Sequence, residues 1–109
     1  MPEPTHPTWP LAGARPGEIV VIARWTPADG SREDIETALP ELVRASSAEP
    51  GCLGYGVLRQ DNGDIVLVER YADQEALRAH RESEHFQRIV QAYIVPRLVS
   101  RDVTVTGTC

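Results

Sequence analysis

Lysine is missing altogether: all eleven basic side chains of this 109-residue chain are arginines. Sixteen carboxylates outnumber them, leaving a formal net charge of −5. That balance argues against nucleic-acid binding, because phosphate contacts need a basic face. Long apolar runs are missing too. The longest, Ile19 to Ala23, falls far short of the about 20 residues that cross a bilayer, so no membrane partner is expected. The start, MPEPTHPTWP, has no basic stretch followed by an apolar one, so it does not read as a secretory signal. Cysteine is scarce, and Cys52 and Cys109 cannot build a disulfide framework. Two free thiols in a reducing cytoplasm are expected, with a single Cys52–Cys109 bridge as the alternative. No G-x-S-x-G elbow or phosphate loop occurs, and Gly51, Gly54 and Gly56 do not make a dinucleotide fingerprint.

What is present is enough for one domain and no second core. Residues 1–17 carry five prolines and two glycines and read as an irregular arm. Trp9 and Leu11 are its large apolar residues and are candidates to dock it. Residues 18–109 form the domain. EIVVIARWT is rich in β-branched residues, ends at Pro27, and predicts a first strand apolar on both faces. Ser31, with Asp34 three residues on, predicts an N-cap. Ile35, Ala38, Leu39, Leu42 and Val43 then follow the spacing of a one-faced helix, which Pro40 should kink.

Glu49-Pro50-Gly51 breaks that helix, and CLGYGVLRQ predicts a second strand. Simple alternation puts Leu53, Tyr55 and Val57 on one face and Gly54 and Gly56 on the other, where another backbone or a ligand could approach. Asp61-Asn62-Gly63-Asp64 is a hairpin signal leading into IVLVERY. Asp73 caps a short helix bearing Ala76, Leu77 and His80, and Ser83 starts another with Phe86, Ile89, Val90 and Tyr93. Pro96 ends it, and DVTVTGT supplies a fourth strand. The order β-α-β-β-α-β predicts an α+β, ferredoxin-like split βαβ fold, a four-stranded antiparallel sheet with helices on one face. Its other face stays apolar, which predicts a homodimer joined through the sheet.

Four short segments now resemble one family. Glu49-Pro50-Gly51-Cys52, Val68-Glu69-Arg70-Tyr71, Ala76-Leu77-Arg78-Ala79-His80 and Ser83-Glu84-His85-Phe86 follow, in order, the pattern of the antibiotic-biosynthesis-monooxygenase domain. The likeness spans about residues 18 to 106, without the proline-rich arm; Tyr71 stands where many members have Trp. It implies a dimeric α/β barrel with a small cavity between each sheet and its own helices. It also implies oxidation of a phenolic, quinol or anthrone-like molecule by O₂ with no metal or organic cofactor. Haem binding or degradation, with His80 or His85 on the iron, and a non-catalytic metabolite-binding dimer are the alternatives.

His80 leads the candidate residues, because a neutral imidazole can take a phenolic or carbon-bound proton; the alternative is a hydrogen bond to a carboxylate or the backbone. His85, five positions on, lies well around a helix from His80, so no metal pair is expected; it caps, pairs with an acid or reaches the pocket. Glu69 is a carboxylate in an apolar strand and needs a partner: His80 or His85 to form a base dyad, or Arg24 or Arg70 in an ion pair. Trp25, Tyr55, Tyr71, Phe86 and Tyr93 suit the walls of an aromatic-binding pocket or plain packing. Arg24 is either an oxyanion partner or an exposed strand residue.

Overall fold

The computed structural model describes residues 11–109. Strand β1 (Ile19–Pro27) leads into α1 (Arg32–Ser47), and β2 (Cys52–Arg59) and β3 (Ile65–Tyr71) form a hairpin. Helix α2 (Gln74–Glu82) and helix α3 (Phe86–Ile94) make the second crossover, and a 3₁₀ turn (Val95–Arg97) delivers β4 (Leu98–Gly107). All three pairings are antiparallel in the order β2-β3-β1-β4, the split βαβ topology that the sequence predicts.

Register sorts the strands into two faces. Ile19, Val21, Ala23 and Trp25 of β1 lie opposite Tyr71, Glu69, Leu67 and Ile65 of β3, and all eight are buried. Ile35 and Leu42 of α1, with Ile89, Val90 and Ile94 of α3, close the core over this face. The opposite face presents Val20, Ile22 and Arg24 beside Val66, Val68 and Arg70, so β1 is apolar on both faces only as far as Ile22. Ile22 on this face is 45% exposed. The helices also stop short of β4, where Val103 and Val105 stand largely exposed opposite Ala23 and Val21.

Several local details correct the sequence reading. Register shifts between Cys52 and Gly54, so Leu53 is the extra residue of a bulge and stands exposed rather than beside Tyr55 and Val57. Ser31 occupies the N-cap of α1, but its side chain makes no cap hydrogen bond. By contrast, α1 continues through Pro40 as the helical spacing predicts. β4 begins at Leu98, before the alternating Val and Thr residues that signal it. α3 winds more widely than an α-helix: the Val95 N–H closes it on the Val90 carbonyl, five residues back.

The turns match their chemistry. Gly63 takes φ 94° while Asn62 Oδ1 accepts from the Asp64 N–H at 2.9 Å, and Asp73 accepts from the Ala76 N–H at 2.9 Å to cap α2. Gly51 is needed for space: any Cβ there would collide with the Ala76 side chain, so the loop before β2 lies tight on α2. The proposed docking of Trp9 lies outside the described residues. Leu11 is exposed, and the arm is held by its backbone, with Ala12 O accepting from Arg70 Nη1 at 2.9 Å and Arg15 O accepting from Thr108 Oγ1 at 2.5 Å. Cys52 and Cys109 are both free. Among the described residues no helix is long and apolar enough to cross a membrane.

Candidate functional site

The tight contact at Gly51 brings Glu49 from the α1–β2 loop against His80 on α2. Glu49 Oε2 lies 2.8 Å from His80 Nδ1 and 2.5 Å from His85 Nε2. A carboxylate oxygen only accepts, so both ring nitrogens carry the hydrogen and donate. His80 and His85 do not share one regular helix. α2 ends at Ser83, whose backbone is extended, and this break swings His85 back onto the carboxylate that His80 uses. Their five-residue separation therefore misleads: Glu49, His80 and His85 bring donor atoms within 4.8 Å of one another, a spacing a metal ion could use. Both nitrogens are already satisfied by Glu49 Oε2, so the cluster holds together as a hydrogen-bonded set.

With Nδ1 donating, His80 presents a bare lone pair at Nε2. That atom is buried and has no hydrogen-bond partner, and the whole residue is 1% exposed. Tyr55, Tyr71 and Phe86 surround the ring at centroid distances of 5.6, 5.3 and 5.1 Å. Burial among these rings holds the imidazole below its ordinary pKa, with Glu49 pulling the other way. Nε2 stands 3.9 Å from Glu69 Oε1, too far to bond. Glu69 instead accepts from the Tyr71 hydroxyl at 2.6 Å. Burial pushes its carboxyl up to about 7, and Tyr71 opposes that rise. Desolvation also raises the Tyr55 and Tyr71 phenols, which stay protonated.

His80 and Glu69 open on a recess between the sheet and the helices, walled by Val21, Ala23, Trp25, Tyr55, Phe86 and Val90 and flanked by Arg81, Arg101 and Val103. Trp25 Nε1, a donor only, is buried and unpartnered. Two unmatched polar atoms on one small recess are unusual for a purely structural core. Its volume is about 30 Å³, room for a water or two but not for an aromatic ring or a macrocycle without movement of the wall. A larger apolar groove of about 500 Å³ runs between α1 and β2, along Leu39, Pro40, Val43 and Val57. Its charged residues Glu36 and Arg59 pair with each other, and none of its polar atoms is buried without a partner. The unpartnered Trp25 Nε1 and His80 Nε2 both belong to residues that line the smaller recess.

Of the candidate residues, His80, Glu69, Trp25, Tyr55 and Phe86 line the recess, while Tyr71 and His85 support it from behind. Tyr93 lies elsewhere, on the surface, with the Arg97 guanidinium 3.8 Å above its ring. Arg24 is exposed on the open sheet face. Neither arginine offered as a partner for Glu69 fills that role, because Arg24 and Arg70 point out of the other face and Arg70 pairs with Glu18. Sequence reasoning missed Glu49 as a site residue, although it begins the quoted Glu49-Pro50-Gly51-Cys52 segment.

Comparison with known proteins agrees with this fold. The family model described as antibiotic biosynthesis monooxygenase matches residues 18–92. A Mycobacterium tuberculosis protein named "Putative monooxygenase Rv0793" is 35% identical over 89 residues, covering 81% of this chain and 86% of its own. Its solved structure superposes with a TM-score of 0.80 over 85% of this chain and 96% of that one, at 30% identity. The Pseudomonas aeruginosa protein PA3566 gives a TM-score of 0.75 at 29% identity, covering 85% of this chain and 95% of its own. A Nitrosomonas europaea structure shares the fold at 20% identity, with a TM-score of 0.80 over 86% of this chain and 92% of that one.

Proposed function

The chain belongs to the antibiotic biosynthesis monooxygenase family, and from that premise we propose that it oxidises a small phenolic, quinol or anthrone-like molecule with O₂, using no metal or organic cofactor. The observation that carries this reading is the bare, buried His80 Nε2, on the wall of the recess and backed by Glu49. His80 takes the acidic O–H or C–H proton of the substrate at Nε2. The negative Glu49 stabilises the imidazolium that results, as a carboxylate does when it orients any histidine base. The substrate anion gives its electrons to O₂ and forms a carbon-bound hydroperoxide. The protonated His80 returns its proton to the peroxide oxygen, and loss of water then removes that proton, the remaining C–H hydrogen and one oxygen, so the carbon keeps the other oxygen as a carbonyl.

The protein contributes position, a base and the exclusion of bulk water. Trp25 Nε1–H is placed to donate to the phenolate or carbonyl oxygen of the substrate. Because the recess holds only about 30 Å³, a ring enters as Phe86, Val90 and Val103 give way. The oligomer in this reading is a homodimer joined through the open sheet face around Ile22, Val66 and Val68. Light scattering on a sizing column should give twice the 12.0 kDa chain mass, and Ile22→Glu should shift it to one.

O₂ uptake by metal-stripped protein with a panel of quinols and anthrones tests the activity, against autoxidation in buffer and a His80→Ala variant. Uptake above buffer that falls in the variant is expected. Substrate recovered unchanged across the panel would assign the recess to ligand binding instead.

A further inference from the structure

The wall of the recess is neutral or acidic, but its mouth is not. Arg81 follows His80 on α2. Arg101 lies opposite Trp25 in the β1–β4 register, so it rises from the same face of the sheet as the recess. The two arginines thus border the recess from its helix side and its strand side. Both are exposed, and among the described residues neither forms an ion pair, unlike Arg59, Arg70, Arg78, Arg88 and Arg97. Both lie near enough to Glu69 to favour its ionised form.

Arg15, Arg24, Arg32 and Arg44 form no ion pair among the described residues either, so what is informative in a chain of net charge −5 is that Arg81 and Arg101 converge on one recess. Inside the mouth, the buried Trp25 Nε1 and His80 Nε2 both lack partners. The recess therefore offers a donor and a base within, and two cations at its rim. A guanidinium presents a planar fork of donors that matches a carboxylate, and partial desolvation at a narrow opening strengthens the contact.

We infer that the substrate carries an anionic group, a carboxylate on the hydroxylated ring, held at the mouth between Arg81 and Arg101 while the ring's hydroxyl reaches Trp25 and His80. This rests on the oxygenase reading for the identity of the ring, but not for the charge preference, which is a property of binding alone. It also overrides the whole-molecule charge, because the potential at a recess is set by the groups on its rim.

Calorimetric titration under nitrogen separates binding from turnover. Gentisate, a hydroquinone carboxylate, is compared with gentisamide, its neutral amide. Gentisate should bind about tenfold more tightly, the size expected from two part-exposed ion pairs. Arg81→Gln and Arg101→Gln should each remove about a threefold part of that preference, the double variant should abolish it, and added salt should shrink it. Arg32→Gln, an unpaired arginine distant from the recess, should leave it unchanged, and circular dichroism checks that each variant folds. Equal affinity for the two probes, binding of neither, or a preference that survives in the double variant would overturn the inference. A carboxylate preference without O₂ uptake in air would keep the rim site and remove the oxygenase reading.

Discussion

Glu69 and Arg70 are neighbours on β3, yet the alternation of the strand puts them in opposite electrostatic settings. On the open face, Arg70 Nε donates to Glu18 Oε1 at 2.7 Å and its Nη1 donates to Ala12 O at 2.9 Å, clamping the arm to the sheet. That hydrogen bond holds the Glu18 carboxyl below its ordinary value. On the helix face, Glu69 has one donor, stands 3.9 Å from the nearest imidazole nitrogen, and is pushed up to about 7. The first cluster is closed, with its charges matched. The second keeps a lone pair and an indole N–H unmatched, beside a carboxyl that burial pushes up to about 7. A purely structural cluster has no reason to stay open in this way.

The same chemical change made in both clusters separates them most sharply. Glu49→Gln removes the charge that orients and stabilises protonated His80, and should lower kcat/KM by roughly a hundred- to ten-thousand-fold. Because Glu49 raises the His80 pKa, its loss should also move the acid limb of the pH profile to lower pH, a shift that misfolding would not produce. Glu18→Gln should leave kcat/KM within about twofold of the parent and show its effect as faster proteolysis of the arm. Comparable loss of turnover in the two variants would erase the distinction.

Next in size is the stability held in Glu69. Between its ordinary value of 4.5 and about 7, the folded chain binds more protons at this site than the unfolded chain does. Its contribution to stability is therefore lost as pH rises through that window. Glu69→Gln keeps an acceptor for Tyr71 but cannot ionise. Denaturant titration at about pH 8 should show the variant more stable by up to about 3 kcal/mol, with the gain fading toward about pH 4.5. His80 works in the other direction in both backgrounds: it is buried neutral, so its contribution is lost as pH falls below 6.5. A Glu69→Gln gain that did not depend on pH would mean that packing, not ionisation, sets it.

The two clusters were not equally legible in the sequence. Period-two and helical patterns gave the order of the elements, and the resemblance pointed to His80, His85 and Glu69. The pairings were hidden because they depend on breaks in those patterns. The bulge at Leu53 and the extended backbone at Ser83 each turn one residue away from its expected face, and the second is what lets His85 meet Glu49. The Glu18–Arg70 pair joins residues 52 apart, which no local spacing can reveal. Gly51 carried a readable signal, a glycine in a breaker, but its reason is tertiary. Gly51→Ala should cost ~1–3 kcal/mol through the collision with Ala76. It should also weaken the Glu49–His80 hydrogen bond, visible as a change in the His80 imidazole nitrogen shifts by NMR. A silent substitution would show that the loop has room to retreat from α2.

The smallest predicted effect tests what sets the raised titration point of Glu69. The Tyr71 hydroxyl donates to Glu69 Oε1 at 2.6 Å and so favours the ionised carboxylate, while burial favours the neutral acid. Tyr71→Phe removes the donor and leaves the burial. The Glu69 carboxyl should then titrate above about 7, followed by carbon NMR of the labelled side chain. The stability cost should be about 1 kcal/mol and should be larger at alkaline pH, where the carboxylate most needs a donor, than at acid pH, where the neutral acid needs it less. If Glu69 instead kept its titration point, another group would have to supply the donor. The unpartnered Trp25 N–H lines the same recess, so if it is that donor the double variant Tyr71→Phe with Trp25→Phe would raise the titration point where the single variant did not.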